Sequence, residues 1–392
     1  MKPRKIREGV YWVGAVDWDR RLFDVLIPLP DGTSYNAYLV QGSEKTALLD
    51  AVDPSKVHLL MAQLEGVPRV DYIVAHHAEQ DHSGAIPHVL QRYPEAKVLA
   101  SSKGKPMLVD HLGLSPEVIA VVEDGETLSL GGKTLQFLYT PWVHWPETMS
   151  TYLQEDRILF SCDFFGSHLA TTDLYVTEPA RAYEAAKRYY AEIMMPFRRI
   201  IRGNLDKIAP LDVALIAPSH GPIYDDPAFI LKAYAEWVSD DLKNEVVLPY
   251  VSMHGSTARM VEALVAALAE RGIRVHQFDL SVTDLGKLAI TLVDAATLVI
   301  GTPTVLTGAH PHAASAAYLV NALRPKLRFV SIIGSYGWGG KAVDHLTGLL
   351  SNLKVEVLEP VLCKGLPKEE DYAALERLAE TIAAKHRELG LL

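Results

Sequence analysis

The last part of the chain, residues 246–392, repeats a strand, a loop and a helix in strict order, and this rhythm constrains the fold more than any other feature. Strands are predicted at Val246–Val251, Ile273–Phe278, Thr297–Ile300, Arg328–Ile333 and Val355–Leu358. Helices are predicted at Thr257–Arg271, His312–Leu323, Lys341–Ser351 and Lys368–Arg387. Short apolar strands joined by helices predict an α/β fold with a doubly wound parallel sheet.

The preceding residues alternate strands and helices less regularly, and turn signals such as Asp124-Gly125 separate them. Strands are predicted at Tyr35–Gln41, Thr46–Val52, Tyr72–His76, Lys97–Ala100, Thr134–Tyr139, Thr148–Leu153 and Arg157–Cys162, and helices at Pro179–Phe197 and Pro227–Lys243. A charged stretch then leads to Glu245, where we place the domain boundary. The expected domains are residues 1–245 and 246–392, in keeping with a length of 392 residues.

Composition excludes several classes of protein. With 38 Lys and Arg against 48 Asp and Glu, the formal charge is -10, which argues against nucleic acid as a partner. Only two cysteines are present and no CxxC pair occurs, so neither a disulfide framework nor a rubredoxin-type iron centre is expected. No run of about 18 apolar residues is found. We therefore expect a cytoplasmic protein with no membrane span.

Four candidate metal ligands lie within six residues, immediately after the apolar strand that ends at His76. His77, Glu79 and Asp81 alternate, so an extended loop would place them on one side, and His82 can reach around the turn. A single histidine here would more often belong to a solvated polar loop. For the whole cluster we favour metal binding.

Three further candidates, His144, Asp163 and His220, also follow apolar strands. The combined pattern resembles the metallo-β-lactamase superfamily, over roughly residues 8–240, which implies an N-terminal αβ/βα sandwich with a binuclear site. Hydrolytic members usually carry HxHxDH, whereas Glu79 stands here in place of the second histidine. A set of imidazoles and carboxylates without thiolate suits two iron ions, although the residue types also permit zinc.

The order and spacing of these seven residues resemble the flavodiiron proteins, or A-type flavoproteins. The resemblance implies one iron held by His77, Glu79 and His144. It implies a second iron held by Asp81, His82 and His220, with Asp163 bridging the two. In some members of that family the residue matching His82 does not bind iron directly, so direct ligation by His82 stays open.

Other residues near this pattern are candidates for supporting roles. His76 is expected to be structural because it lies on the opposite face of the strand from His77. His168 follows the bridging Asp163 and is either a hydrogen-bond partner of a ligand or a pocket-lining group. Cys162 is expected to be a small buried apolar residue. Trp145 and Tyr35 are candidates to line the pocket, although aromatic residues belong more often to the core.

Three loops of the C-terminal domain follow the ends of strands, where doubly wound sheets bind ligands. The first loop, between the predicted strand Val246–Val251 and the predicted helix Thr257–Arg271, offers hydroxyl and backbone N–H donors for a phosphate. Helix capping alone would also explain the hydroxyl residues of this loop. The third, Tyr336-Gly337-Trp338-Gly339, combines glycines with aromatic rings that can lie against a flat ligand. The candidate ligand-binding residues are Ser252, Met253, His254, Gly255, Ser256, Thr257, Thr302, Pro303, Thr304, Gly308, Ser335, Tyr336, Gly337, Trp338 and Gly339.

These loops resemble those of the flavodoxins, over residues 246–392. A single phosphate loop and the absence of GxGxxG favour FMN over a dinucleotide. Flavodiiron proteins carry such a flavodoxin-like domain after the lactamase-like one, in this order. The resemblance thus spans nearly the whole chain.

The flavodiiron resemblance implies an oxidoreductase that reduces O2 to water, NO to N2O, or both, at a diiron site supplied through FMN. It also implies an external electron donor, such as a rubredoxin or its reductase, and a head-to-tail homodimer or a dimer of dimers. Two alternatives remain: a binuclear zinc hydrolase with a flavodoxin-like regulatory domain, and an electron carrier with a degenerate first domain. Glu79 argues against the first, and the retention of all seven candidate ligands argues against the second.

Overall fold

The computed structural model describes residues 2–392, and the chain divides into two compact units. Unit 1 comprises residues 2–190 and Phe197–Val238, and unit 2 comprises Ala191–Pro196 and Ser239–Leu392. The boundary expected near Glu245 falls inside the first strand of unit 2, Lys243–Tyr250. The helix expected over Pro227–Lys243 ends at Val238, because the backbone N–H of Lys243 already donates to Asp294 O beside the parallel sheet.

Unit 1 contains two larger β-sheets. The strands of the first, in spatial order, are Arg4–Arg7, Val10–Trp12, Tyr38–Gln41, Thr46–Leu49, Tyr72–Val74, Lys97–Ala100 and Ile119–Val121. Those of the second are Thr127–Ser129, Thr134–Tyr139, Met149–Leu153, Ile158–Cys162 and Leu215–Pro218. Ala15–Asp17 pairs with Thr33–Tyr35, and Leu22–Phe23 pairs with Ile27–Pro28. The expected strand Tyr35–Gln41 is therefore divided between two sheets.

Successive side chains of a strand point to opposite faces of a sheet. In the first sheet both sets are apolar, so both of its faces are buried. Leu49, Val74 and Leu99 belong to the same core cluster as residues of the second sheet, such as Phe137 and Phe160. The neighbouring residues Leu48, Ile73 and Val98 pack instead with helix residues that include Leu60, Ile86 and Leu108. Sheet packs on sheet and helices cover the outside, which is the expected αβ/βα sandwich.

The α-helices of unit 1 are Val57–Gln63, Gln80–Ser83, Ile86–Arg92, Gly104–Leu112, Pro179–Tyr189, Arg198–Ile208 and Pro227–Val238. Single 3-10 turns lie at Pro54–Lys56, Pro116–Val118 and Met195–Phe197. The helix expected over Pro179–Phe197 is regular only to Tyr189. It continues as a wider π-helical turn at Tyr190–Met194 before the 3-10 turn that contains Pro196, whose missing N–H is incompatible with a regular helix interior.

Unit 2 is built on a parallel sheet with the spatial order Arg274–Asp279, Lys243–Tyr250, Ala295–Val305, Phe329–Tyr336 and Glu356–Val357. Val361–Lys364 also pairs with Phe329–Tyr336, and Gly308–Ala309 pairs with the end of Ala295–Val305. Its α-helices are Ser256–Glu270, Leu285–Leu292, Pro311–Leu323, Ala342–Leu349 and Glu369–Glu388.

The strand order of unit 2 is that of the flavodoxin-like doubly wound sheets, so the predicted fold class is confirmed. The last strand differs from the prediction because it is split around Pro360, which cannot donate to the sheet. The helix Leu285–Leu292 was not predicted. Across residues 2–392, none of the helices combines the length and the apolar character that crossing a bilayer requires.

Candidate functional site

Loops at the ends of strands bring all seven predicted metal ligands together in unit 1. His77 and Glu79 follow the strand Tyr72–Val74, and the short helix Gln80–Ser83 carries Asp81 and His82. The other three lie just after Thr134–Tyr139, Ile158–Cys162 and Leu215–Pro218. The seven form two groups with metal-ligating geometry, one containing His77, Glu79, His144 and Asp163, and the other Asp81, His82 and His220. A third group, Asp50, His82 and Cys162, shares only His82 with the predicted set.

In the first group, two imidazoles converge on the carboxylate of Glu79. The Nε2 atoms of His77 and His144 lie 3.0 Å and 3.1 Å from Glu79 Oε2. They lie 3.6 Å and 3.7 Å from Asp163 Oδ2. One oxygen of Asp163 therefore faces this group.

In the second group, the imidazoles of His82 and His220 converge on two aspartates. His82 Nε2 lies 3.0 Å from Asp163 Oδ1 and 3.3 Å from Asp81 Oδ1. His220 Nε2 lies 3.3 Å from Asp163 Oδ1 and 3.2 Å from Asp81 Oδ2. Asp163 thus directs its two oxygens to different groups, as a bridging ligand would.

Neighbouring charged side chains shift the pKa values of several groups in the cluster. Burial alone would lower the pKa of His220, but the nearby carboxylates of Asp163 and Asp81 raise that pKa to about 10. Burial is likewise outweighed at His82, where the charges of Asp163 and Asp81 raise the pKa. For Asp163 itself burial would raise the pKa, but the neighbouring imidazoles, His82 first, hold the pKa well below its usual value.

The pKa of His77 is also raised well above its usual value, because hydrogen bonds to Glu147 and Glu79 outweigh the effect of burial. Burial would raise the pKa of Glu79, yet hydrogen bonds from His144 and His77 lower it strongly. Without metal, His77 and His220 are therefore imidazolium groups that face carboxylates.

Several polar atoms of the cluster find no hydrogen-bond partner among the described residues, although they are buried. They are both carboxylate oxygens of Asp81, both of Asp163, and His82 Nε2. Burying such atoms without a partner costs roughly 1–3 kcal/mol each. Their positions fit metal ions, which imidazole nitrogen and carboxylate oxygen ligate well, with iron and zinc both compatible with the donor set.

The ring nitrogens that point away from the proposed metal positions, here called the outer nitrogens, are hydrogen-bonded to groups that the sequence did not reveal. His77 Nδ1 lies 2.7 Å from Glu147 Oε1, which also accepts from the backbone N–H of Ala78 at 3.1 Å. His220 Nδ1 donates to the backbone carbonyl of Ser34 at 2.6 Å. Such contacts orient the ring and fix which nitrogen faces the metal. Glu147 is a lone acid in a loop, and no sequence signal distinguishes it.

His76 and His168 lie in different environments. The two ring nitrogens of His76 contact Asp50 Oδ2 at 2.8 Å and Thr151 Oγ1 at 2.7 Å, away from the metal-ligating groups. His168 Nδ1 contacts Thr33 Oγ1 at 2.9 Å. Its Nε2 has no hydrogen-bond partner among residues 2–392, and its ring centroid lies 5.1 Å from that of His220. Burial lowers the pKa of His168 well below its usual value, so the ring is neutral.

The remaining predicted pocket residues lie against the ligands. Trp145 packs edge-on to His77 with ring centroids 4.9 Å apart, and Tyr35 lies 6.0 Å from His220. Cys162 is buried, and its Sγ lies 4.0 Å from His82 Nδ1. The aromatic rings surround the imidazoles with apolar surface.

In unit 2, the three predicted loops form one groove of about 380 Å³. It is lined by Ser252, Met253, His254, Ser256, Thr257, Pro303, Thr304, Ser335, Tyr336, Gly337 and Trp338, and also by Gly365 and Leu366, which were not predicted. Thr257 Oγ1 and Ser335 Oγ lie 3.1 Å apart and join two of the loops. Trp338 is 90% exposed, so its ring is free to cover a ligand.

Four of the predicted residues do not line this groove. The hydroxyl of buried Thr302 accepts from the backbone N–H of His310, and Gly308 pairs with Val305 in a hairpin. Gly255 caps the helix Ser256–Glu270 with φ 89°, and Gly339 has φ 121°, a conformation that favours glycine. These residues shape the loops rather than the groove surface.

Comparison with known proteins gives two matching families. Residues 33–221 match the model of the ODP family beta lactamase, and residues 248–378 match that of Flavodoxin. The nitric oxide reductase of Moorella thermoacetica is 36% identical, over 98% of this chain and 99% of the relative.

Solved structures agree over nearly the whole length. The rubredoxin oxygen:oxidoreductase of Desulfovibrio gigas is 31% identical with a TM-score of 0.94, covering 99% of both chains. The flavodiiron protein of Giardia intestinalis is 25% identical with a TM-score of 0.88, covering 98% of both chains. With two domain types in this order, a full-length relative at this identity and a cluster of imidazoles and carboxylates, the chain belongs to the flavodiiron protein family.

Proposed function

We propose that this chain is an oxidoreductase that reduces O2 to water, NO to N2O, or both, with electrons supplied from outside. The observation that carries the proposal is the buried cluster of four imidazoles and three carboxylates, whose unpartnered oxygens and nitrogen fit a pair of metal ions. Membership of the flavodiiron family makes those ions iron and adds FMN as the second cofactor.

The distances support one assignment of the ligands. His77, Glu79 and His144 would hold one iron, and Asp81, His82 and His220 the other. Asp163 would bridge them, because each of its oxygens faces one group. His82 is included as a ligand because its Nε2 lies as close to Asp163 as any imidazole nitrogen of the cluster.

FMN and iron, when bound, would supply electron transfer and the reduction of the diatomic gas. The protein's own residues hold the irons and exclude competing water. Trp145 and Tyr35 place apolar rings beside the ligands. His168 offers a neutral imidazole whose free Nε2 can exchange a hydrogen bond with a bound gas.

FMN would lie in the groove of unit 2. Ser252, Ser256 and Thr257 provide hydroxyls at the start of the helix Ser256–Glu270, where the positive end of the helix dipole also favours a phosphate. Tyr336 and Trp338 would flank the flavin ring. We accordingly propose residues 1–245 as the diiron domain and residues 246–392 as the FMN domain.

A rubredoxin or a rubredoxin reductase is the electron donor that we propose. A protein covering 99% of this chain bears the name rubredoxin oxygen:oxidoreductase, and this chain has no CxxC pair for a rubredoxin centre of its own. Rapid reduction of the purified protein by rubredoxin, with only slow direct oxidation of NADH, is expected. Rapid turnover with NADH and no added carrier would contradict this donor.

We also propose a cytoplasmic homodimer in which the flavin of one chain serves the diiron site of its partner. Exposed apolar side chains on both units support an interface, among them Val25 and Leu26 in unit 1 and Leu306 in unit 2, whose exposures are 89%, 63% and 92%. The free, buried cysteines accord with a reducing compartment. A two-fold pair would supply two such junctions at once.

Mixing two inactive variants tests the dimer. Asp163→Ala removes the bridging ligand, and Thr257→Ala combined with Trp338→Ala impairs the flavin groove. After dissociation and reassociation, the mixed dimer should regain one working junction. Heterodimers that form but stay as inactive as both parents would show that electrons pass within one chain.

One experiment tests the proposed activity itself. The protein, expressed with added iron and purified without oxygen, should contain about two irons and one FMN per chain and consume O2 or NO when reduced by rubredoxin. The alternative zinc hydrolase predicts two zinc ions and hydrolysis of an ester. Full zinc occupancy with esterase activity and no gas reduction would overturn the proposal.

A further inference from the structure

The two proposed metal positions have matched inner ligands. Each has two imidazoles and one carboxylate of its own, and both share Asp163. We call the position of His77, Glu79 and His144 position A, and that of Asp81, His82 and His220 position B. Any difference between the two in metal affinity must therefore arise mainly from groups behind the ligands.

Behind position A lies a second carboxylate. Glu147 is buried, with 3% of its surface exposed, and its Oε1 accepts from His77 Nδ1 at 2.7 Å. The backbone N–H of Ala78 holds the same oxygen, so the carboxylate cannot turn away without losing both contacts. Its other oxygen, Oε2, has no hydrogen-bond partner within residues 2–392. A full negative charge is thus fixed against the back of one ligand.

Behind position B, no carboxylate of residues 2–392 is hydrogen-bonded to a ligand ring. Asp50 lies nearby, within 4.8 Å of a ring nitrogen of His82, but its carboxylate pairs with His76 Nδ1 at 2.8 Å instead. His220 Nδ1 donates to the backbone carbonyl of Ser34 at 2.6 Å, and His82 Nδ1 lies 4.0 Å from the Sγ of Cys162. Within the described part of the chain, neither ring is hydrogen-bonded to a carboxylate through its outer nitrogen.

We propose that the two metal positions are unequal, with position A the tighter because Glu147 makes His77 a stronger ligand. A carboxylate that accepts the outer N–H of an imidazole raises the electron density on the nitrogen that faces the metal. Glu147 is a positioning residue in this account, since it touches the ligand and not the metal. The inference rests on the proposed binding of two metals.

Titration of the metal-free protein with Co(II) under nitrogen tests the proposal, because Co(II) gives visible absorption bands on binding. The wild type should bind two ions in two steps, with dissociation constants at least about tenfold apart. Glu147→Gln keeps the hydrogen-bond acceptor and the shape while removing the charge. It should weaken the tighter step about 10- to 100-fold and leave the weaker step unchanged.

Glu155→Gln is a matched control. Glu155 also accepts two hydrogen bonds, from the backbone and the hydroxyl of Thr134, but it contacts no proposed ligand. Both binding steps should keep their wild-type constants. If Glu147→Gln weakens the weaker step or neither step, the proposal is wrong.

A second pair of variants tests which position binds metal more tightly, even if Glu147→Gln does not fold. His144→Ala should abolish the tighter step, and His82→Ala the weaker one. The opposite assignment, or two equal steps in the wild type, would overturn the proposal while leaving the diiron site intact. Failure of the wild type to bind two ions would instead refute the site itself.

Discussion

Metal binding to the metal-free protein is predicted to release protons, and the number follows from the cluster. His77 and His220 have pKa values raised well above the usual value by the surrounding carboxylates, so both are imidazolium near neutral pH when no metal is present. A metal requires the free nitrogen lone pair, and each of these rings must lose one proton. We expect at least about two protons to be released per chain at pH 7.5 when two metals bind.

The energetic cost can be worked out for His220, whose pKa is about 10. Removing its proton at pH 7.5 costs about 3 kcal/mol, at 1.36 kcal/mol per pH unit. This cost falls as the pH rises, so the apparent affinity for metal should increase about tenfold per pH unit for each proton displaced. Metal should therefore dissociate most readily in acid, and addition of chelator at pH 6 should strip it faster than at pH 8.

Calorimetric titration of the metal-free protein with Co(II), in buffers of different ionisation enthalpy, measures the proton count directly. His220→Asn should release about one proton fewer than the wild type. His88→Asn is the control, because His88 is an exposed residue of the helix Ile86–Arg92 and lies outside the cluster. A release close to zero in the wild type would mean that the imidazoles are already neutral, and the reasoning about charge in the cluster would fail.

Three further predictions concern single side chains. Asp163→Asn should lower the iron content from two to one or none per chain by metal analysis, because the two oxygens of Asp163 face different metal positions. Burial lowers the pKa of His386 to about 4, so the folded unit 2 binds this proton more weakly than the unfolded chain. The free energy of unfolding of unit 2, followed by flavin release in urea, should fall by about 2 kcal/mol between pH 7 and 5. His386→Gln should remove most of this loss. Thr257→Val, which removes a hydroxyl bonded to Ser335, should weaken FMN binding about tenfold in a fluorescence titration.

Each of these three has a defined contrary result. Two irons in Asp163→Asn would show that the residue does not bridge, with Asp173→Asn as the control for a hydrogen-bonded aspartate outside the cluster. An unchanged pH dependence in His386→Gln would assign the acid sensitivity to another group. Wild-type FMN affinity in Thr257→Val, with Thr291→Val as the control on a different helix, would place the phosphate elsewhere.

The fold could be predicted because the apolar pattern of each strand matches its burial. Leu48 and Leu49 show this, since they are adjacent and point into different cores. The same periodicity does not fix where an element ends. The predicted helix from Pro227 extends past its observed end at Val238, and the predicted strand begins later than the observed one. The pairing of Lys243 with Ala295 across the sheet determines this boundary. Such pairing is not visible locally.

The flavin loops show the same division between local and tertiary information. Ser252 and Thr257 could be identified because hydroxyls at a strand end before a helix form a local pattern. Leu366 lines the same groove, yet nothing around it in the sequence indicates a ligand, and only the pairing of the strand Val361–Lys364 brings it there. Thr302, also predicted to bind the flavin, is not among the residues that line the groove, and its hydroxyl accepts from the backbone N–H of His310.

The metal cluster shows the same division between local and tertiary information. The convergence of its seven candidate ligands could be predicted, since each follows an apolar strand and the strand ends meet at one edge. Glu147 could not, because it lies 70 residues from His77 and its loop contains no motif. The ligand motif therefore fixes which side chains face the metals, while the charge behind them is set by residues that the motif does not include. Chains that share all seven ligands can accordingly differ in metal affinity and in reactivity toward O2 and NO, and those differences should be sought at positions such as Glu147, Cys162 and His168.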